Sequence, residues 1–185
     1  MAKSALIFWG GWDGHTRDRS AEIARQMLVR NGFEVQVENG TSILAAADLG
    51  GFDLIVPMIT MSEIEKPELA ALTAAVRAGT GLAGAHGMMC DAFRKEPEYQ
   101  FMTGGQWVSH PGNIIEYTVD VTRPDDPVMA GIGSFPYRSE QYYMHVDPSN
   151  EVLATTTFTD EHFEGIGGVV MPVVWKRKYG KGRVF

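Results

Sequence analysis

Five histidines carry most of the chemistry that the 185 residues can offer: His15, His86, His110, His145 and His162. His15 closes a run Trp9-Gly-Gly-Trp-Asp-Gly-His15, and His86 sits inside GLAGAHGMMCDAF, residues 81–93. Imidazoles bind divalent metals and move protons near neutral pH. Zinc takes three or four nitrogen, sulfur or oxygen ligands, with nitrogen at about 2 Å, and an open fourth position makes such a site catalytic. The divalent ion expected here is therefore zinc-like, held by His15, His86, His110 and His145, with Asp13, Asp91 and Glu140 as the carboxylates nearest these histidines in sequence. No HxxxH or HExxH pair supports this by spacing. A single loop histidine is more often a hydrogen-bonded surface or packing residue than a ligand. The signal is shared location.

That location follows from the elements around the histidines. Ala5–Trp9 is an apolar run ending at Gly10-Gly11, the pattern of a buried strand feeding a loop. A helix follows, with Ser20 as its N-cap, Ile23, Ala24, Met27 and Leu28 on its apolar side, and Asn31-Gly32 as its stop. Phe33–Val37 alternates as a strand, 41–47 reads as a short helix, and 53–57 is a third strand. Pro67 suits the first position of the next helix, where its missing N–H costs nothing. Leu69, Leu72 and Val76 share one face of that helix, and Gly79 ends it. Residues 82–86 form the fourth strand.

Strands alternating with helices imply a parallel sheet with right-handed crossovers. Ligands of such sheets bind beyond the carboxyl ends of the strands, where residues 10–15, 58–63 and 86–88 lie. If the third strand separates those leading to His15 and His86, the strand axes lie about 10 Å apart. The two imidazoles then meet only if the His15 loop curls inward.

The second half reads differently. Residues 114–121, 137–145, 152–158 and 169–176 are strand-like without long helices between them, and 183–185 begins another. On one regular strand over 137–145, Glu140 and His145 face opposite sides and share a pocket only if a bulge or strand end intervenes. A carboxylate among tyrosines suits sugar hydroxyls, which makes Glu140 and Tyr142 candidates. Trp12, in a loop, is the best placed tryptophan to stack on a sugar ring. The only cysteine, Cys90, lies one turn past the His86 elbow and reads as a small buried apolar residue rather than a nucleophile.

Composition limits the function classes. Hydrophobic residues are 44% and charged residues 21%, as in a folded globular chain. A net charge of −7 disfavours nucleic acid and anionic membranes. The first loop lacks both GxGxxG and the P-loop lysine, so a nucleotide is not expected. One cysteine and no 18-residue apolar run suggest a cytoplasmic protein.

Together these motifs resemble the ThuA-like (trehalose utilisation) family of the class I glutamine amidotransferase-like superfamily. The resemblance runs through residues 9–15, 81–87, 91–94, 104–110, 125–127, 139–145, 172–177 and 180–185. It implies one domain over 1–185 with a flavodoxin-like three-layer α/β/α sandwich, its sheet mostly parallel with antiparallel additions in the C-terminal half. It also implies a role in the use of trehalose and related disaccharides, through keto-sugar intermediates. Where the amidotransferases have G-x-C-x-G, this chain has Gly84-Ala-His86-Gly-Met88. His86 replaces the thiol, which removes thioester release of ammonia from glutamine.

By the same resemblance, His15, His86 and His110 match the family's histidines and Glu140 its acidic residue. The family continues past Gly-Arg-Val-Phe185 with a Gly-His segment, so the domain is expected to be cut short at its C-terminal end. The resulting expectation is a metal-dependent enzyme on a sugar or keto-sugar, with His86 and Glu140 catalytic and Trp12, Asp13, Asp91 and Tyr142 touching substrate. The alternative is a non-catalytic carbohydrate-binding or interaction module. The expected partner is a small sugar, with self-association left open.

Overall fold

The computed structural model describes residues 2–185, which form two compact units: residues 2–103 with 178–185, and residues 104–177. In the first unit, β1 (Lys3–Gly11), β2 (Phe33–Asn39), β3 (Leu54–Thr60), β4 (Gly81–Leu82) and β11 (Gly182–Val184) form a wholly parallel array in the order β2-β1-β3-β4-β11. Its helices are α1 (Arg17–Arg30), α2 (Ile43–Ala46), α3 (Lys66–Ala78), α4 (Gly87–Cys90) and α5 (Pro97–Thr103). Among the described residues, no helix is long and apolar enough to cross a membrane.

The strands read as unbroken apolar runs because both faces are covered. Ile7, Val56 and Met58 pack with Ala21, Ala24 and Leu28 of α1 on one face. On the opposite face Leu6, Phe8, Ile55 and Ile59 are at most 1% exposed. Burying a side chain of this size contributes about 1.5–3 kcal/mol. The fold is the expected one: a flavodoxin-like, mixed α/β arrangement with parallel strands here and antiparallel strands in the second unit.

That second unit holds β6 (Ile114–Val121), β7 (Phe135–Glu140), β9 (Glu151–Thr157) and most of β10 (Val170–Tyr179), antiparallel in the order β10-β9-β6-β7. Its own core gathers Val119, Met129, Leu153 and Ala154. A separate ribbon pairs β5 (Gly105–Ser109) with β8 (Tyr143–Val146).

Three local expectations are corrected. First, α1 starts at Arg17, before Ser20, because Thr16 adopts a left-handed φ of 42° and takes the chain straight from a 3-10 turn into the helix. Ser20 is internal, and its N–H donates to the Thr16 carbonyl. Second, small residues let α1 approach the sheet through Ala21 and Ala24, which rotates Ile23 and Met27 outward to about half exposure. Third, residues 137–145 are two strands, so Glu140 ends β7 while His145 lies on β8. At α3, Glu65 and Glu68 form a capping box, which puts Pro67 second in the helix, still within the first turn.

The feature that positions the site is the end of β1. Gly11 has φ +79°, and a Cβ there would lie 1.8 Å from the Thr60 carbonyl oxygen. Only glycine lets the chain pass over the end of β3 this closely. Trp12 then donates its N–H to that carbonyl at 2.9 Å. Gly11→Ala is expected to cost about 3 kcal/mol in urea unfolding, from backbone displacement. Gly32→Ala, at φ +82° with open space around it, should cost only about 1–2 kcal/mol. Equal losses would contradict the crossing as the constraint.

Candidate functional site

In the first unit the crossing brings His15 inward through a 3-10 turn, Asp13–His15. His15 Nδ1 lies 2.9 Å from the Thr60 hydroxyl, and its ring is half-buried. The His86 ring stands 5.0 Å away, centroid to centroid, at an interplanar angle of 67°. The two histidines therefore meet across β3, as the inward curl requires. Trp12 packs edge-on to His15 at 5.1 Å. Its indole occupies the space a Cβ on residue 14 would need. Asp13 is exposed and ion-paired with Arg17.

His86 itself is held in a rare backbone state, φ 60° and ψ −156°, a region that is otherwise essentially glycine's. The fourth strand is short for this reason. Its ladder covers only Gly81–Leu82, although the Ala83 and Gly84 N–H groups still bond to the Ile55 and Phe185 carbonyls. The chain then breaks sharply at His86, whose carbonyl accepts from the N–H groups of Met89 and Cys90. This is a strand-to-helix elbow that presents an exposed imidazole. Strain of this kind costs about 1–3 kcal/mol and is found where a side chain must be aimed.

Cys90 is 7% exposed, and burial, reinforced by the neighbouring Asp91 charge, pushes its thiol from 9.0 up to about 12. It is packing, not a thiolate. Asp91 is 5% exposed and its carboxylate is taken up by a two-pronged ion pair with Arg94, while its carbonyl accepts the Met61 N–H. A role in holding the loop after α4 therefore accounts for Asp91 without a substrate.

The second unit carries its own cluster. His110 Nε2 lies 3.7 Å from a Glu140 carboxylate oxygen. The Tyr142 ring stacks on His110 at 6.0 Å and 20°, and Trp107 tilts against His110 at 5.6 Å. His110 Nδ1 is buried with no hydrogen-bond partner among the described residues. Glu140 is fixed by the end of β7, where its carbonyl accepts the Tyr117 hydroxyl at 3.3 Å. The His162 ring lies against Gly112, two residues past His110, a placement that no motif announced. His145 is exposed on β8 opposite Gln106 and belongs to neither cluster.

The chain is an α/β protein with a parallel sheet whose strand-to-helix elbow bears a histidine. It belongs to the ThuA family, described as trehalose utilisation, which matches residues 4–185. No curated protein matches it. Among solved structures, a protein described as ThuA-like from Parabacteroides merdae is similar at 20% identity and a TM-score of 0.79, over 100% of this chain and 77% of that one. Another described so, from Bacteroides uniformis, gives 17% and 0.74, over 99% and 80%. A β-galactosidase from Bacillus circulans sp. alkalophilus shares the fold at 15% identity and a TM-score of 0.64, over 99% of this chain but 28% of that one.

Two outcomes follow from this geometry. His86→Gly should raise stability to urea by about 1 kcal/mol, since glycine adopts that φ without strain. A loss of stability would show that the histidine is there for packing. The folded chain keeps the Cys90 proton between pH 9.0 and about 12, where the unfolded chain has lost it. Stability from this group is thus complete below pH 9.0 and falls as pH rises through that window. Native protein at pH 8 should resist a disulfide thiol reagent until denatured, and rapid labelling would contradict the buried placement.

Proposed function

We propose that this ThuA-family protein acts on a sugar or keto-sugar at the carboxyl edge of the first unit's sheet, with His15 and His86 holding a divalent metal, zinc by their chemistry. The observation that supports it most is the imidazole pair itself, 5.0 Å apart, with His15 Nδ1 already engaged by the Thr60 hydroxyl. Metal-bound histidines regularly fix one ring nitrogen with an oxygen partner, which sets the tautomer and frees the other nitrogen. The donor set fits a borderline ion such as zinc better than magnesium or calcium, which prefer oxygen. A bound ion would supply Lewis acidity toward a sugar carbonyl or a vicinal hydroxyl pair.

The residues of each unit take separate parts. His15 and His86 orient the ligand through their fixed ring positions. Trp12, 52% exposed and edge-on to His15, offers a face for a sugar ring and excludes water. In the second unit Glu140 beside His110 is a carboxylate–imidazole pair suited to accept and return a proton, and Tyr142 carries a hydroxyl for a hydrogen bond. Glutamine amidotransfer is excluded from this reading, because the elbow bears His86 and the only thiol is buried and protonated. A cytoplasmic setting rests on the single, unpaired cysteine. The alternative, a carbohydrate-binding module without turnover, draws on the same missing elbow thiol.

Purified protein equilibrated with zinc should carry one ion per chain, and His15→Ala or His86→Ala should each lower its affinity at least tenfold, about 1.4 kcal/mol. Unchanged metal content in both variants would overturn the assignment. A parallel His110→Ala, Glu140→Gln variant reports whether the second unit's cluster contributes. Turnover of keto-disaccharides lost with the metal marks an enzyme, and binding with no turnover marks the module.

A further inference from the structure

We propose that the cleft between residues 61–64 and 93–96 is a second sugar-ring subsite, one that holds a neutral polyhydroxylated ring beside the His15–His86 pair and so selects disaccharides over monosaccharides. The inference rests on the sugar reading above for its ligand class.

The cleft has a volume of about 380 Å³, within the range of small-molecule sites. Its two walls are joined at their base by main-chain hydrogen bonds. The Met61 N–H donates to the Asp91 carbonyl at 2.8 Å and the Ser62 N–H to the Ala92 carbonyl at 2.9 Å. Met61 has a left-handed φ of 49° and is 51% exposed. Phe93, 1% exposed and fixed edge-on against Tyr99 at 4.9 Å, is the inner, apolar part of the wall.

The charges decide what fits. Half of the lining residues are charged, but their signs cancel: Glu63 and Glu96 against Arg94 and Lys95. Lys95 Nζ bridges the walls to Glu63 at 2.6 Å, and Arg94 is engaged by Asp91. An anion such as phosphate would have to break one of these pairs. A wholly apolar ligand would leave charged groups desolvated without a partner. A neutral polyol meets both demands: its hydroxyls accept charge-assisted hydrogen bonds from the cations and donate them to the carboxylates, and its C–H faces meet Met61 and Ile64.

The cleft is also placed for a substrate's non-reacting end. Its first lining residue, Met61, directly follows Thr60, whose hydroxyl contacts His15. The adjacent Cα atoms are about 3.8 Å apart. Binding energy from such a remote ring holds the reacting ring in place.

The test titrates the zinc-equilibrated full chain with trehalose, glucose and inorganic phosphate, by calorimetry or ligand-detected NMR. Trehalose should bind more tightly than glucose, and phosphate should neither bind in the cleft nor compete. Glu63 and Lys95 are 83% and 82% exposed in their side chains, so a Glu63→Ala, Lys95→Ala double variant keeps its fold. It should lose about tenfold in trehalose affinity, with zinc content and glucose affinity unchanged. Ser62→Trp, which fills the cleft, should do the same by sterics.

Trehalose affinity unchanged in both variants, competition by phosphate, or no sugar binding at all would overturn the subsite. If the wild type holds no zinc but trehalose affinity still falls in the two variants, the subsite stands and the metal reading fails.

Discussion

Thr60 is the residue on which the site in the first unit depends. Its carbonyl accepts the Trp12 N–H and its hydroxyl meets His15 Nδ1, each at 2.9 Å. One residue at the end of β3 thus ties down a loop that begins at the end of β1. The tie is possible only because residue 11 has no Cβ to strike the Thr60 main chain. Once the loop is drawn across β3, His15 sits against His86, and two strand positions that are not neighbours in the sheet share one imidazole pair. Met61, next along the chain, then opens the cleft whose far wall follows α4.

The elbow at His86 is the second constraint. A backbone state that favours glycine is occupied by a histidine, and the cost is met by the packing around it: Leu82 before the turn and Met89 and Cys90 after it are 1%, 3% and 7% exposed. The same packing that holds the elbow buries the thiol and pushes it up to about 12. Position and burial therefore set the parts of the two residues. The imidazole is presented and the sulfur is core.

Much of the first unit was legible because buried parallel strands leave unbroken apolar runs. The runs at 5–9, 33–37 and 53–57 fall within β1, β2 and β3 to within a few residues. What failed did so for local reasons. Ser20 is a good capping residue, but Thr16 turned the chain earlier by a left-handed step that composition does not reveal. Ile23 and Met27 have apolar side chains, yet the helix buries alanines because these permit close approach to the sheet. The tyrosine-rich stretch 137–145 alternates well enough to read as one strand. The break falls at Gln141, whose buried side chain donates to the Thr156 hydroxyl.

For the site, the sequence supplied the histidines and the ligand edge but not the partners. That residues 61–64 face 93–96 depends on tertiary pairing between segments some thirty residues apart, while the Asp91–Arg94 pair is a local contact that spacing alone did not single out.

The claim at the centre is that His15 and His86 bind one metal ion together. Zinc-edge X-ray absorption on the zinc-loaded protein tests it most directly. The account predicts a nitrogen shell at about 2.0–2.1 Å with imidazole scattering from two rings, dropping to one ring in His15→Ala. A shell of oxygen alone, or an imidazole count unaffected by both His15→Ala and His86→Ala, would contradict it.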